Sequence, residues 1–267
     1  MNEVEGARSF GVPAEKYGGF MGRYSWVLAS HFVDFFGLPQ RGRFLDIGCG
    51  PGALTVEVAE RLGVDRVAAV DPSPAFVAAC QARLPGVEVR QGRAEELPFE
   101  TDSFTAAASQ LVFHFVSDAP AAAAEMARVV APGGTVAACV WDAELGLDLL
   151  SGFWEAAASV DPGGSGGGRD LRWGRPGELG SLMASAGLGH IQETVLTVAS
   201  TYRNFDEVWA GFTAGIGPAG QYLAELPAVG QQALRTALFD RFGRPSGAIT
   251  LRGTARAVRA WVPGEAP

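Results

Sequence analysis

The chain has few cysteines and no long apolar run. Its three cysteines, Cys49, Cys80 and Cys139, are far apart, and no Cys-x-x-Cys pair occurs. We therefore expect buried thiols in a reducing compartment, and no metal site. No apolar stretch approaches the length of a transmembrane helix, and the first six residues are acidic and lack the apolar segment of a signal peptide. These absences predict a cytoplasmic protein without a membrane partner.

Basic residues are also fewer than acidic residues. The 267 residues include 21 Lys and Arg against 29 Asp and Glu, which gives a formal net charge of −8, and no run of Lys or Arg occurs. This balance argues against a nucleic-acid partner. A hydrophobic content of 48% with 19% charged residues predicts a well-buried globular core. The length is sufficient for one α/β domain with an elaboration, or for two small domains.

The most informative stretch is Phe44-Leu-Asp-Ile-Gly-Cys-Gly-Pro-Gly-Ala-Leu-Thr55. It predicts a short apolar strand over residues 44–47, a turn with Gly48, Gly50 and Gly52, and a helix that ends at about residue 62. Glycines let the backbone adopt conformations that a side chain forbids, and they let a ligand approach closely. A strand, a glycine turn and a helix form a nucleotide-type pocket, and the spacing Gly-x-Gly-x-x-Ala also fits a dinucleotide site. The alternative is a tight turn that binds nothing.

Two residues of this stretch favour a cationic ligand. Asp46 ends the strand beside the turn, where its charge would repel a pyrophosphate and attract a cation. Pro51 removes a backbone N–H that a phosphate would have used. S-adenosylmethionine carries a sulfonium and an ammonium and no phosphate, so it fits better than a dinucleotide.

A second acid follows the next predicted strand, residues 66–71. Asp71 comes 23 residues after Gly48, about where an acid meets a ribose diol in nucleotide-binding folds. The alternative is a helix cap, because Asp71-Pro-Ser-Pro74 also opens a predicted helix over residues 74–84.

The rest of the first half alternates strands with helices, which predicts a parallel, right-handed sheet. Further strands are predicted at residues 87–90, 104–109 and 135–141, with a helix at 120–130. In the second half, helices are predicted at 148–160 and 176–186, β-rich stretches at 190–202 and 248–256, and two or three helices within 204–242. We interpret these last helices as a lid inserted between the final two strands. The lid aromatics Trp209, Phe212, Tyr222 and Phe239 predict a planar or apolar ligand.

Large apolar residues also precede the glycine turn, at spacings that predict a helix ending near Gly37. One interpretation is a helix that covers the sheet edge. The other is that Tyr17, Met21 and Arg23 close over a ligand, with Arg23 paired to a carboxylate.

With these motifs in hand, the chain resembles the class I S-adenosylmethionine-dependent methyltransferases that act on small molecules, in the branch typified by ubiquinone and menaquinone methyltransferases. The resemblance covers residues 17–142 and rests on the motifs Leu45-Asp-Ile-Gly-Cys-Gly-Pro-Gly52, Val70-Asp-Pro-Ser73, Gly92-Arg-Ala-Glu-Glu-Leu-Pro-Phe99 and Arg128-Val-Val-Ala-Pro-Gly-Gly134. It implies a Rossmann-like, seven-stranded, mostly parallel sheet with helices on both faces and an antiparallel last strand. We expect a single domain over residues 1–267, with a core at about 38–202 and 248–262 and a cover at about 13–37 and 203–247.

The resemblance also implies roles for individual residues. Gly48, Gly50, Gly52 and Asp46 would line the amino-acid portion of the cofactor, Asp71 with Pro72 and Ser73 would hold the ribose, the backbone N–H of Ala94 would meet the adenine, and Gln110 would stand beside the methionine part. The chain departs from the family at Arg93, where Asp is common, so that Glu95 or water would accept the hydrogen bond from the adenine amino group. It also departs at Thr105, another common Asp position.

The implied reaction is methyl transfer to an oxygen, nitrogen or carbon nucleophile of a small molecule, for example one of secondary metabolism, by a monomer or a homodimer. His114 is the candidate general base, since it follows the fourth strand at the cofactor end of the sheet. In the alternative, His114 has a packing or hydrogen-bonding role, and the protein positions the acceptor without removing its proton. The alternative function is a binding protein, or an enzyme that uses the bound cofactor for another reaction.

Overall fold

The computed structural model describes residues 22–161, 171–215 and 217–264. Tyr17 and Met21 therefore lie outside the described residues. Within these ranges, no helix has the length and apolar character needed to cross a membrane.

Seven strands form one mostly parallel sheet. They are β1 (Phe44–Ile47), β2 (Val67–Asp71), β3 (Glu88–Gln91), β4 (Phe104–Gln110), β5 (Val130–Trp141), β6 (Gly189–Tyr202) and β7 (Ile249–Trp261). Their spatial order is β3-β2-β1-β4-β5-β7-β6, and β7 runs antiparallel to both of its neighbours. The predicted sheet with an antiparallel last strand is therefore confirmed. The strand order reverses between β1 and β4, and in such sheets ligands bind outside the carboxyl ends of the strands at this point.

Helices connect the strands and cover both faces of the sheet. The main ones are α1 (Arg23–Phe36), α2 (Ala53–Leu62), α3 (Pro74–Arg83), α4 (Ala119–Val129), α5 (Asp148–Val160), α6 (Glu178–Ser185), α7 (Phe205–Thr213), α8 (Gly217–Glu225) and α9 (Ala228–Arg241). Most predicted bounds are close to these. The largest differences are at β7, which continues to Trp261, and at β5, which begins at Val130 because that residue pairs with Phe104 before a bulge.

The hydrophobic core has two layers, because successive side chains of a strand point to opposite faces. In β2, Val67 and Ala69 face the layer of α1 and α2, whereas Ala68 and Val70 face the layer of α4 and α6. All four side chains are buried, which explains why a doubly covered strand reads as one apolar run.

The predicted inserted helices are α7, α8 and α9, which lie between β6 and β7. They join the first layer through α5, where the ring of Phe153 stacks on that of Phe212 with centroids 4.4 Å apart. Leu234 and Leu238 of α9 are fully buried in the same cluster. That these helices cover a ligand stays a prediction.

Candidate functional site

The glycine turn leaves β1 in left-handed backbone conformations. The φ angles are +73° at Gly48, +52° at Gly50 and +96° at Gly52, a region that L side chains rarely adopt. The N–H of Gly48 donates to the carbonyl of Val70 at 2.8 Å, which fastens the turn to β2. A Cβ on Gly48 would lie 2.4 Å from the side chain of Val112, whereas nothing lies within 4 Å of one on Gly50. The turn is therefore packed at its first glycine and open at its second.

Asp71 ties this turn to the start of α3. One carboxylate oxygen accepts from the N–H of Gly50 and the other from the N–H of Ser73, both at 2.8 Å. Burial raises the pKa of Asp71, and these two hydrogen bonds oppose that effect. The N-cap residue of α3 is Ser73, so Asp71 does not occupy the cap position. A ribose contact by Asp71, and contacts by Pro72 and Ser73, stay predictions.

Asp46 is buried beneath the same turn, with 1% of its surface exposed. Its Oδ2 accepts from the hydroxyl of Thr55 at 2.6 Å, and its Oδ1 has no hydrogen-bond partner among the described residues. Burial raises the pKa of Asp46 to about 7; the Thr55 hydrogen bond lowers it and the nearby charge of Asp71 raises it. A carboxyl with an unused buried oxygen is an acceptor available to a ligand.

Gln110 supplies a second such oxygen at the end of the neighbouring strand. Its Nε2 donates to the carbonyl of Ser25 at 3.0 Å, while its Oε1 is buried and without a partner among the residues described. Because β1 and β4 are adjacent and parallel, Asp46 and Gln110 both lie at the switch point of the sheet. Buried acceptors without donors are costly, and the ammonium of S-adenosylmethionine carries the donors that such acceptors require.

The turn proposed to contact adenine is present, but the carboxylate of Glu95 is hydrogen-bonded to Ser117. Ala94 lies in a turn closed by a bridge between Arg93 and Glu96. The carboxylate of Glu95 accepts from the N–H and the hydroxyl of Ser117 at 3.1 and 2.8 Å. Burial alone would raise the pKa of Glu95, but the Ser117 hydrogen bonds hold it below its usual value. The geometry therefore gives Glu95 a role in joining two loops, and leaves the adenine contact of Ala94 a prediction.

The other departure, Thr105, lies near the opposite end of β4. Its hydroxyl is 3.0 Å from the carbonyl oxygens of Arg41 and Arg43. It fastens the segment before β1 and does not take part in the site.

Both ring nitrogens of His114 are used within the protein. Nε2 accepts from the backbone N–H of Trp141 at 2.9 Å, which places the ring proton on Nδ1, 2.7 Å from the carbonyl oxygen of Arg172. The lone pair that a general base needs is thus engaged by Trp141. This arrangement differs from the expected general base and favours the alternative, a hydrogen-bonding residue that joins the ends of β4 and β5 to the segment before α6.

Arg23 is also placed differently from the expected clamp on a ligand carboxylate. Its guanidinium bonds the Ser200 hydroxyl at 3.0 Å, the Thr201 carbonyl at 2.6 Å and the Glu207 carboxylate at 2.9 Å. It also lies over the ring of Tyr202, 4.1 Å from the centroid. The structure assigns Arg23 to the joint between α1, β6 and α7, and its contact with a ligand stays a prediction.

A cavity of about 440 Å³ opens beside the His114 bridge, at the carboxyl end of β5. It is lined by Ala143, Glu144, Leu171, Arg172, Trp173, Arg175 and Glu178. Trp173 has a φ of +66°, which is unusual for a bulky residue, and its indole nitrogen is buried without a partner within the described ranges. Among the described residues, no group of three or more His, Cys, Asp and Glu side chains is placed to hold a metal ion.

Comparison with known proteins supports the same fold and family. Residues 45–138 match the family described as a methyltransferase domain. An uncharacterised methyltransferase of Mycobacterium tuberculosis is 41% identical over 100 residues, which are 38% of this chain and 40% of that protein. The 2-phytyl-1,4-naphtoquinone methyltransferase of Thermosynechococcus vestitus is 37% identical over 109 residues, 39% of this chain and 48% of that protein. The chain thus spans less than half the length of these two relatives.

A solved structure extends the likeness to the whole fold. The phosphoethanolamine N-methyltransferase 2 of Haemonchus contortus, in complex with S-adenosyl-L-methionine, aligns with a TM-score of 0.54 and 18% identity, over 90% of this chain and 53% of that one. At this identity the likeness concerns the fold. The match of residues 45–138 identifies this part of the chain as a methyltransferase domain, and the solved structure shows the same fold. Membership of the whole chain in the class I family, and in the narrower quinone-methyltransferase branch, stays a prediction.

Three site residues could not be singled out from the sequence. Thr55 gave one signal, a hydroxyl in an otherwise apolar helix start, Ala53-Leu-Thr-Val. Val112, which fills the space above Gly48, and Ser25, whose carbonyl holds Gln110, gave none. Their roles depend on packing between distant segments.

Proposed function

We propose that this protein transfers a methyl group from S-adenosylmethionine to an oxygen, nitrogen or carbon atom of a small molecule. The observation that carries the proposal is a pair of buried oxygens, Asp46 Oδ1 and Gln110 Oε1, that have no hydrogen-bond partner in the described part of the chain and lie at the switch point of the sheet with the glycine turn. A ligand that brings an ammonium and no phosphate supplies hydrogen-bond donors to these acceptors, whereas a pyrophosphate brings none.

The proposed cofactor contacts follow from this placement. Gly48, Gly50 and Gly52 line the amino-acid portion, with Asp46 and Gln110 at its ammonium. Asp71, followed by Pro72 and Ser73, holds the ribose, and the N–H of Ala94 meets the adenine, with Tyr17 closing over the ligand. The cofactor supplies an electrophilic methyl on a sulfonium. The chain orients that group and excludes water, and alignment of the acceptor is the main source of acceleration.

We propose a small, partly apolar acceptor. The cavity beside His114 has the volume of a small-molecule site, and the lid helices add aromatic side chains to the first core layer. Because the lone pair of His114 is engaged, the acceptor would arrive already ionised, or lose its proton to solvent. A cytoplasmic monomer or homodimer, without a nucleic-acid or membrane partner, is part of the proposal.

Calorimetric titration tests cofactor binding. We expect S-adenosylmethionine and S-adenosylhomocysteine to bind the wild type, and Asp71→Ala to lose about 1.5–3 kcal/mol per charge-assisted hydrogen bond to the ribose. Glu60→Ala, at an exposed position of α2, is the matched control and should bind as the wild type does. Unchanged affinity in Asp71→Ala would remove the ribose assignment.

Turnover is tested separately, by following S-adenosylhomocysteine release with a panel of quinones, phenols, amines and fatty-acyl derivatives. Cofactor binding without release on any acceptor would favour the alternative function, a binding protein or an enzyme of another reaction type. Absence of cofactor binding would overturn both.

A further inference from the structure

The titratable groups around the buried Asp46 are one other acid and three thiols, and none of those in the described residues is a cation. Its one hydrogen bond is the 2.6 Å contact from the Thr55 hydroxyl of α2. The titratable groups that interact with it are Asp71 at the end of β2, Cys49 in the glycine turn, Cys80 of α3 and Cys139 of β5. Each of these is neutral or negative at neutral pH, so none of them compensates a charge on Asp46.

An isolated, buried carboxylate is far less stable than its neutral form. Thr55 donates one hydrogen bond, but Oδ1 has no donor within the described part of the chain. The geometry therefore favours a protonated Asp46 in the ligand-free protein. A bound ammonium would reverse this preference, since an opposite charge within 4–6 Å favours the ionised form.

We propose that Asp46 holds a proton in the ligand-free protein and releases it to solvent when S-adenosylmethionine binds, so that cofactor affinity rises with pH. The inference rests on the proposed function, because it needs a cationic ligand in this site. No bond other than the O–H of Asp46 breaks; the carboxylate that remains pairs with the cation.

Linkage sets the expected size of the effect. The pKa of Asp46 in the free protein is about 7, and an adjacent opposite charge lowers such a pKa by about 1–3. With a decrease of about 2, cofactor affinity should rise about fivefold between pH 6 and pH 7, a range in which the amino group of the ligand stays largely protonated. Binding should release about 0.8 proton at pH 6 and about 0.5 at pH 7.

The test is calorimetric titration of the full chain with S-adenosylmethionine at pH 6, in buffers of different ionisation enthalpy. The slope of the observed enthalpy against the buffer's ionisation enthalpy counts the protons released. At pH 6 the amino group of the ligand is already protonated, because such groups have a pKa of about 7.7–8.0. We expect a slope of about 0.8 proton for the wild type and none for Asp46→Asn.

Asp71 provides the matched control, because burial raises its pKa as well. Asp71→Asn should bind more weakly but keep the slope; loss of the slope in this variant with retention in Asp46→Asn would overturn the assignment. The ¹³C resonance of the Asp46 carboxyl gives a second readout without substitution, and at pH 6 it should move from its protonated to its ionised position on binding.

The outcomes separate this inference from the function on which it rests. Binding without proton release, or an Asp46 resonance already at its ionised position in the free protein, overturns the inference and leaves the cofactor site intact. No binding at any pH overturns the proposed function itself.

Discussion

Substitution of His114 distinguishes a general base from a structural bridge. In His114→Ala, two hydrogen bonds worth about 0.5–1.5 kcal/mol each are lost, and the N–H of Trp141 is left unsatisfied. Trp141 is only 4% exposed, so water does not readily replace the ring. We expect the free energy of unfolding to fall by about 2–4 kcal/mol, which for a chain of this size lowers the melting temperature by roughly 5–15 °C.

His114→Gln is the informative partner variant. A glutamine amide carries an acceptor for Trp141 N–H and a donor for the Arg172 carbonyl, so it can preserve both contacts. We expect it to recover most of the lost stability and to keep kcat within about threefold of the wild type. His31→Gln, on the exposed side of α1, is the control and should change the stability by less than about 0.5 kcal/mol.

Urea denaturation and the rate of S-adenosylhomocysteine release measure the two quantities. A general base contributes about 10²–10⁴-fold to the rate. If His114→Gln were as stable as the wild type but slower by such a factor, with cofactor affinity unchanged, the structural role argued from its two hydrogen bonds would be refuted.

Three further predictions concern Asp46, Gly48 and Asp142. Because burial raises the folded-state pKa of Asp46 from its usual 3.8 to about 7, the contribution of this group to stability is fully present below about pH 4 and is lost as the pH rises through about 7. Asp46→Asn should remove up to about 4 kcal/mol of this loss in the ligand-free protein, and a pH-independent difference in urea midpoints would contradict the raised pKa. Gly48→Ala should cost at least about 1 kcal/mol more than Gly50→Ala, because only its Cβ meets another side chain; equal melting temperatures would exclude that contact. Asp142→Asn, which breaks the 2.8 Å ion pair with the partly exposed Arg256, should destabilise the protein by about 2–4 kcal/mol in urea, and no change would mean that the pair is dispensable.

The sequence predicts the architecture well, because the strands, turns and helices depend on residues that are close to one another in the chain. Apolar runs bounded by glycine and acid locate β1 and β2, and the bounds of β1 and α5 agree with their predicted ranges. Left-handed conformations at Gly48 and Gly50 fit the glycine turn predicted there, because glycine has no Cβ to forbid them. These features depend on neighbours within a few positions, which periodicity and turn chemistry describe.

Side-chain roles were harder to predict, because their partners are distant in the chain. The bonds of His114 span 27 and 58 positions, and those of Arg23 span 177 or more. No local pattern reports such contacts, so the sequence leaves a ligand-facing role and a structural role open for both residues. The positions of the two acids were easier to predict, since Asp46 lies one residue before the end of β1, Asp71 ends β2, and these two strands are adjacent and parallel.

The inserted helices begin and end at one place in the sheet. Tyr202, just before α7, pairs directly with Ile249, just after the stretch that follows α9. The hydrogen-bonded ladder between β6 and β7 therefore closes at the base of the insertion, and lengthening or replacing the insertion adds little to the entropy of closing its ends. The segment that matches the methyltransferase domain, residues 45–138, ends well before this point. The fold thus keeps this segment and the insertion on separate stretches of chain, so the part proposed to recognise the acceptor can change without altering the turn that would hold the cofactor.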